Sequence, residues 1–179
     1  IGAGKILMDP EPLSFDWLPN ELVGRDDALG EIASMFRGIE SPNFSGRAIV
    51  IGPVGSGKTA IVRRFSDDLK KHLSDTRRIL PVHINCRNHP TTSQVLQRIA
   101  QNLDHRHPER GFSPGEIIQN IRRNLQNSGK HMLLVLDEVS VLLLREGDDL
   151  LYQLLRIDEG REEVGTLSLI LVSQEPMVH

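Results

Sequence analysis

The feature that most constrains the fold of this chain is a glycine-rich stretch, Gly-Pro-Val-Gly-Ser-Gly-Lys-Thr, at residues 52–59. It matches the pattern G-x-x-x-x-G-K-[ST], in which glycines let the backbone wrap closely around phosphate oxygens and turn successive N–H groups inward. An apolar run precedes it and a stripe of apolar residues at helical spacing follows it, as a phosphate-binding loop requires. A chance glycine-rich turn would leave those flanks unexplained. We expect phosphate groups to contact Pro53, Val54, Gly55, Ser56, Gly57, Lys58, Thr59 and Ala60.

An acidic pair further along the chain supplies the chemistry that such a loop needs. The apolar run 133–136 ends in Asp137 and Glu138. Lys58 can reach the β- and γ-phosphates, while the Thr59 hydroxyl and Asp137 suit a bound Mg²⁺. Glu138 is placed to take a proton from an attacking water. The alternative is an ordinary solvated loop that begins after a strand.

The position of Glu138 also bears on the reaction. A glutamate directly after the aspartate favours ATP hydrolysis by an activated water over the chemistry of a nucleotide kinase or a GTPase. The sequence also contains no Asn-Lys-x-Asp run of the kind familiar from guanine-specific GTPases. We therefore expect ATP or ADP, together with Mg²⁺, to be the ligands.

Apolar runs alternate with helical stripes along the chain, after a proline-punctuated start that predicts an extended arm. The predicted strands cover residues 48–51, 79–84, 132–136 and 167–172, and the predicted helices cover 25–39, 61–73, 91–103, 113–128 and 150–155. This alternation predicts an α/β fold with a parallel sheet and helices on both faces, a three-layer sandwich of the P-loop NTPase class. Ligands of such folds bind at the carboxyl ends of the strands, where each motif lies.

Composition excludes several classes of protein. The net charge of −3 and the pI of about 6.2 differ from those of a globally basic nucleic-acid binder, so any DNA-binding surface must be local or outside this chain. A single cysteine, Cys86, rules out an internal disulfide framework and suits a reducing compartment, so we expect a cytoplasmic location. No apolar run approaches the ~20 residues of a membrane span, so no membrane partner is expected.

The order of these elements resembles the AAA+ ATPases, and within them the archaeal replication-initiator family related to origin-recognition and helicase-loading proteins. The generic motifs are the phosphate loop and Asp137-Glu138. The more specific ones are the segment 18–25, Asn85-Cys86-Arg87 with the helix that follows it, and the run 170–174. The resemblance implies that residues 1–24 form an arm and 25–179 an ATPase core. It places the adenine base against Leu22, Val23, Gly24 and Arg25.

The same resemblance implies further roles. Asn85 would be a switch that turns Glu138 away from the water, and Gln174, or Ser173, would take the sensor position where the family usually has asparagine. It implies slow hydrolysis that switches binding to origin DNA and loading of a replicative helicase, with homo- or hetero-oligomers of related initiators. Since the chain ends at His179, we expect an incomplete core without the last strand, the arginine finger, the helical lid and the winged-helix domain that contacts DNA.

Other interpretations stay open at this point. The chain could be a signalling or regulatory ATPase with a protein partner, or a module that retains nucleotide without turnover. Asn85 could simply cap a turn through its own backbone, as asparagine does readily. The loop with His105, Arg106, His107 and Arg110 is either solvated or a local contact for DNA.

Overall fold

The computed structural model describes residues 5–7, 26–73, 77–161 and 164–174. Its centre is a 5-stranded sheet in the order β1-β2-β5-β4-β3. The strands are β1 (Lys5–Leu7), β2 (Arg47–Ile51), β3 (Ile79–Asn85), β4 (His131–Asp137) and β5 (Leu167–Ser173). β2, β5, β4 and β3 are parallel to one another, as the sequence predicts.

The first strand lies within the segment for which the sequence predicts an extended arm, but its pairing with the sheet was not predicted. β1 pairs with β2 in the antiparallel direction, with Lys5 opposite Ile51 and Leu7 opposite Ile49. It covers an edge of the sheet that would otherwise present unpaired backbone groups. Hydrophobic periodicity does not predict a strand of three residues, because so short a segment shows no measurable alternation of apolar and polar residues.

Six helices lie in the described part of the chain. They are α1 (Asp26–Met35), α2 (Lys58–His72), α3 (Thr92–Leu103), α4 (Pro114–Ser128), α5 (Val139–Glu146) and α6 (Asp149–Leu155). α3 and α4 both begin with the capping boxes that the sequence indicates, Thr91 with Gln94 and Ser113 with Glu116. The leucine-rich helix predicted at 150–155 is confirmed as α6, whereas α5 was not predicted; Gly147 at φ 77° separates the two helices.

Two apolar layers cover the sheet, one on each face. On one face, side chains of β2, β4 and β5 pack against α1 and α2, with Phe36 and Phe65 in ring contact at 5.2 Å between centroids. On the other face, β3, β4 and β5 pack against α3 to α6. Every residue of β4 and β5 is buried, which explains their mostly apolar sequences. The predicted three-layer α/β architecture is confirmed.

A polar network closes the end of the sheet opposite the phosphate loop. Arg77 donates hydrogen bonds to the carbonyls of Ile39, Ser41 and Gly165. Its guanidinium also lies 2.9 Å from Nδ1 of buried His131, whose Nε2 lies 2.7 Å from Ser168 Oγ. Burial, followed by the positive charge of Arg77, lowers the pKa of His131 to about 4. This imidazole is therefore neutral near pH 7.

Among the described residues, no helix is both long and apolar enough to cross a lipid bilayer.

Candidate functional site

The predicted motifs meet at the carboxyl ends of the parallel strands. β2 runs into the glycine-rich loop, and Gly52 N–H donates to the carbonyl of Ser173 at the end of β5 at 3.1 Å. β4 ends at Asp137, which lies in register beside Asn85 at the end of β3. Four strand ends thus form one edge where a ligand can be held between loops.

The glycine-rich loop has the backbone shape of an anion cradle. Gly55 and Gly57 adopt φ 78° and 81°, in the left-handed region that other residues rarely enter. The first helical bond of α2 joins Ile61 N–H to Gly57 O, and no side chain caps this end. The N–H groups of the first turn therefore lack helical acceptors, and the positive end of the helix dipole faces the loop. This geometry fits a bound phosphate group.

Two polar side chains of the loop also fit a phosphate ligand. Lys58 is 7% exposed, and its ammonium group donates to the Pro53 carbonyl at 3.1 Å, across the mouth of the loop. Ser56 Oγ is buried without a hydrogen-bond partner. A buried polar atom without a partner is costly unless a ligand or water satisfies it. Val54, by contrast, is 75% exposed at the tip of the loop.

A hydrogen bond joins the loop to the acidic pair. Thr59 Oγ1 donates to Asp137 Oδ2 at 2.8 Å, although the two residues lie 78 positions apart in the sequence. Burial by itself raises the pKa of Asp137. Hydrogen bonds from His83, from Thr59 and from the Glu138 N–H outweigh that effect and hold this pKa below its usual value. Asp137 is therefore an ionised, buried carboxylate beside a hydroxyl.

This pair fits the ligand preference of Mg²⁺, which usually keeps several waters and takes only one or two protein oxygens beside substrate phosphates. The described residues contain no cluster of three or more His, Cys, Asp or Glu side chains that could hold a metal ion by themselves. A magnesium ion would thus depend on Thr59, Asp137, waters and the phosphates together.

His83 is a site residue that the sequence analysis missed. Its Nε2 lies 3.1 Å from Asp137 Oδ2, the same oxygen that Thr59 contacts. A signal was available, because His83 precedes Asn85 by two positions on β3, and side chains two apart share one face of a strand. A histidine in an otherwise apolar strand, on the face that ends beside the acidic pair, marks this position.

Glu138 has an unusual backbone and an ionic partner. Its φ of 52° and ψ of 43° place it in the left-handed region, which costs about 1–2 kcal/mol for a residue with a side chain. Arg87, 62% exposed, forms an ion pair with Glu138 Oε2. The contact lacks hydrogen-bond geometry, and this oxygen is buried without a hydrogen-bond partner. The carboxylate is thus present at the site, held by an arginine and free to accept a proton or a hydrogen bond.

Asn85 forms the hydrogen bond that the turn interpretation expects. Its Oδ1 accepts from the Arg87 N–H at 2.9 Å, a local bond that shapes the turn after β3. That turn carries Arg87 to Glu138. The role of Asn85 as a switch stays a prediction.

Cys86, within this turn, is fully buried. Burial, with the negative charges of Asp137 and Glu138, raises the pKa of its thiol to about 12, so it is chemically inert.

The remaining predicted positions are placed less fully. Gln174 directly follows β5 and is half-buried, and Ser173 is buried at the end of that strand. Leu22, Val23, Gly24 and Arg25 lie outside the described residues.

The loop with the two histidines and two arginines connects α3 and α4. His107 stacks on Phe112 with 5.5 Å between ring centroids, and its Nε2 lies 2.9 Å from Gln97 Oε1. Arg106 pairs with Asp104 at the surface. These local contacts order part of the loop, while His105 and Arg110 are exposed.

Comparison with known proteins identifies relatives of this chain. A family model described as an AAA domain matches residues 45–178. An ORC1-type DNA replication protein of Desulfurococcus amylolyticus is 29% identical over 171 residues, which cover 95% of this chain and 43% of the relative. ORC1-type DNA replication protein 1 of Methanothermobacter thermautotrophicus is 32% identical over 162 residues, with 86% and 41% covered. The chain thus spans about two fifths of the length of these relatives.

Two solved structures also superpose on this chain. The Aeropyrum pernix ORC1 protein in complex with DNA is 28% identical and superposes with a TM-score of 0.73 over 90% of this chain and 41% of that one. The Aeropyrum pernix ORC2 protein in ADPNP and ADP complexes superposes with a TM-score of 0.76 over 90% and 44%, and at 21% identity it supports the fold.

Proposed function

The chain belongs to the AAA domain family and resembles its archaeal replication initiators; on that premise we propose that it is the ATP-binding module of such an initiator and hydrolyses ATP slowly. The ATP and ADP states would switch its binding to origin DNA and the loading of a replicative helicase, in homo- or hetero-oligomers of related initiators. The relatives are ORC1-type DNA replication proteins, and one structural neighbour, Aeropyrum pernix ORC1, is a complex with DNA.

The observation that carries this proposal is the hydrogen bond between Thr59 and Asp137. It brings the cradle for phosphate and the acidic pair to hydrogen-bond distance. A glycine-rich turn that binds no ligand does not require a buried, ionised carboxylate against the first turn of the helix that follows it. The same arrangement is what nucleotide binding with Mg²⁺ requires.

In the proposed mechanism, the N–H groups of Lys58, Thr59 and Ala60 donate to phosphate oxygens. The Lys58 ammonium leaves the Pro53 carbonyl and pairs with the phosphate charge, which is the stronger acceptor. The Thr59 hydroxyl continues to donate its hydrogen bond to Asp137 and directs a lone pair toward the cation, since a hydroxyl has one donor and two acceptor positions. Mg²⁺ held there would neutralise charge on the β- and γ-phosphates.

Glu138 would act on the water. Its Oε2 accepts the proton while the water oxygen attacks the γ-phosphorus and ADP leaves. Gln174 would contact the γ-phosphate from the end of β5, and Asn85 would adjust Glu138 through the turn that it shapes. Residues 22–25 would line the adenine, so we expect ATP to bind more tightly than GTP.

A module that binds nucleotide without turnover is the second candidate, and the Arg87–Glu138 ion pair favours it. The Arg87 guanidinium contacts the oxygen that would take the proton, and so competes with the attacking water for it. Single-turnover measurements of ADP formation distinguish the two candidates: a measurable rate that disappears in Glu138→Gln supports the ATPase, and the absence of any rate in the parent chain supports the binding module.

Calorimetric titration with ATP and Mg²⁺ tests nucleotide binding itself. Lys58→Ala should abolish binding, because it removes the ammonium group from the cradle. Lys70→Ala is the matched control, since that lysine is exposed in the last turn of the same helix. Unchanged affinity in Lys58→Ala would refute the assignment of the loop.

The DNA partner is tested by fluorescence anisotropy with duplex DNA at two salt concentrations. We expect the ATP-loaded and ADP-loaded forms of the protein to differ in affinity, and the affinity to fall with salt as phosphate contacts require. Equal binding in both nucleotide states would contradict the proposed switch.

A further inference from the structure

Asp137 is held by three hydrogen bonds, and one of them comes from a residue with no assigned role. Oδ1 accepts from the Glu138 N–H at 2.9 Å. Oδ2 accepts from Thr59 Oγ1 and lies 3.1 Å from His83 Nε2. The first two donors belong to the elements that carry the predicted motifs. The third comes from β3, a strand that contributes no residue to the phosphate cradle.

The His83 side chain is built for this contact. It is 18% exposed, so little water competes for the bond. An ionised carboxylate only accepts hydrogen bonds, so Nε2 must carry the proton and donate it. β3 holds His83 in register beside Val135, two positions before Asp137 on β4, so the imidazole reaches forward along the sheet to the carboxylate.

We propose that His83 is a positioning residue for the magnesium site: it fixes the orientation of the Asp137 carboxylate, and so determines how strongly Mg²⁺ strengthens nucleotide binding. This inference rests on the proposed function. Without His83, Oδ2 would be held by Thr59 alone, whose hydroxyl oxygen would also have to engage a cation. A second donor on the same oxygen, from a rigid strand, maintains the orientation of the carboxylate when Thr59 does so.

The alternative is a structural role, in which the hydrogen bond to Asp137 only satisfies the partly buried imidazole beneath α2 and has no effect on metal binding. The two roles predict different behaviour. A positioning residue affects only binding that depends on Mg²⁺, whereas a structural residue affects the loop, and nucleotide affinity with it, whether Mg²⁺ is present or not. Outer-shell partners of metal ligands typically change affinity by about 10–100-fold.

The experiment measures ADP affinity by calorimetry, once with Mg²⁺ and once with EDTA, and compares the ratio between variants. His83→Leu removes the donor and should lower the ratio by about tenfold. The affinity in EDTA should stay at the parent value. His83→Gln, whose amide nitrogen reaches the position of Nε2, should restore most of the ratio. His83→Asn is the matched control, because its shorter amide cannot reach Asp137.

Three results would overturn the inference: a parent-like ratio in His83→Leu, an equal loss in Mg²⁺ and in EDTA, or equal ratios in His83→Gln and His83→Asn. Should His83→Leu fail to fold, the contrast between the two amide variants still decides. A parent chain that binds no nucleotide refutes the proposed function itself, whereas a parent chain that binds ADP with a Mg²⁺ dependence unaffected by position 83 refutes only the role of His83.

Discussion

The buried imidazole of His131 predicts that this protein loses stability in mild acid. Its pKa is about 4 in the folded protein, against 6.5 for an ordinary histidine. The folded state therefore disfavours the proton that the unfolded state binds. Between these two values the unfolded chain carries more protons, so the free energy of unfolding falls as the pH falls from about 6.5 to about 4 and is fully retained above that window.

The size of the effect follows from the same two pKa values. The full difference corresponds to about 3 kcal/mol, reached only below pH 4. At about pH 5 the loss is already about 2 kcal/mol relative to neutral pH, a substantial part of the stability of a typical domain. Most carboxylates are still ionised at about pH 5, so this condition separates the histidine from general acid unfolding.

Urea unfolding at about pH 7.5 and about pH 5 measures the effect in the parent chain and in His131→Gln. The variant loses hydrogen bonds and should be less stable at both pH values, but its own loss between them should be smaller than that of the parent by about 2 kcal/mol. The other histidines are common to both proteins and cancel in this comparison. Equal losses in parent and variant would refute the buried neutral imidazole and its contact with Arg77.

The remaining predictions concern the functional site. Glu138→Gln should keep ATP affinity within about twofold and abolish ADP formation, because the amide retains the shape and lacks the base; ADP formation at the parent rate would remove Glu138 from its role. Arg87→Gln should raise the single-turnover rate several-fold if the ion pair holds the base, while Arg145→Gln, a substitution of an exposed arginine on α5, should leave it unchanged. Cys86 should resist alkylation in the folded protein and react only in denaturant, which a mass measurement after iodoacetamide treatment detects.

The sequence predicts most of this fold because the signals are long or chemically specific. The buried strands β4 and β5 have mostly apolar sequences, and each capping box combines two side chains at fixed spacing. The predicted bounds of β2, β3, β4 and β5 agree with the structure to within about one residue, which is as close as different assignments of the same strand usually agree. α5 escaped prediction, because the apolar run at its start has no helical periodicity and a short apolar run does not distinguish a helix from a strand.

Local motifs also predict some of the residues that meet at the candidate site, namely those that lie within one continuous segment or at a strand end. The loop positions and the acidic pair follow from strand ends, and the structure brings Thr59 and Asp137 together. His83 and Arg87 were missed as partners because their contacts cross to the acidic pair after β4; the alternation along β3 marks the position of His83, but only strand pairing brings it to Asp137. Register supplies what the sequence lacks: it sets Asn85 beside Asp137 and so brings the turn after β3 against Glu138.

The two missed contacts have opposite consequences for the acidic pair. The His83 bond holds Asp137 as an oriented, ionised carboxylate, the form that favours a cation. The Arg87 contact instead engages Glu138, the proposed base, whose backbone conformation already costs free energy. In the proposed function, hydrolysis would require the exposed Arg87 to release the base, which offers a physical reason for the slow turnover that we propose.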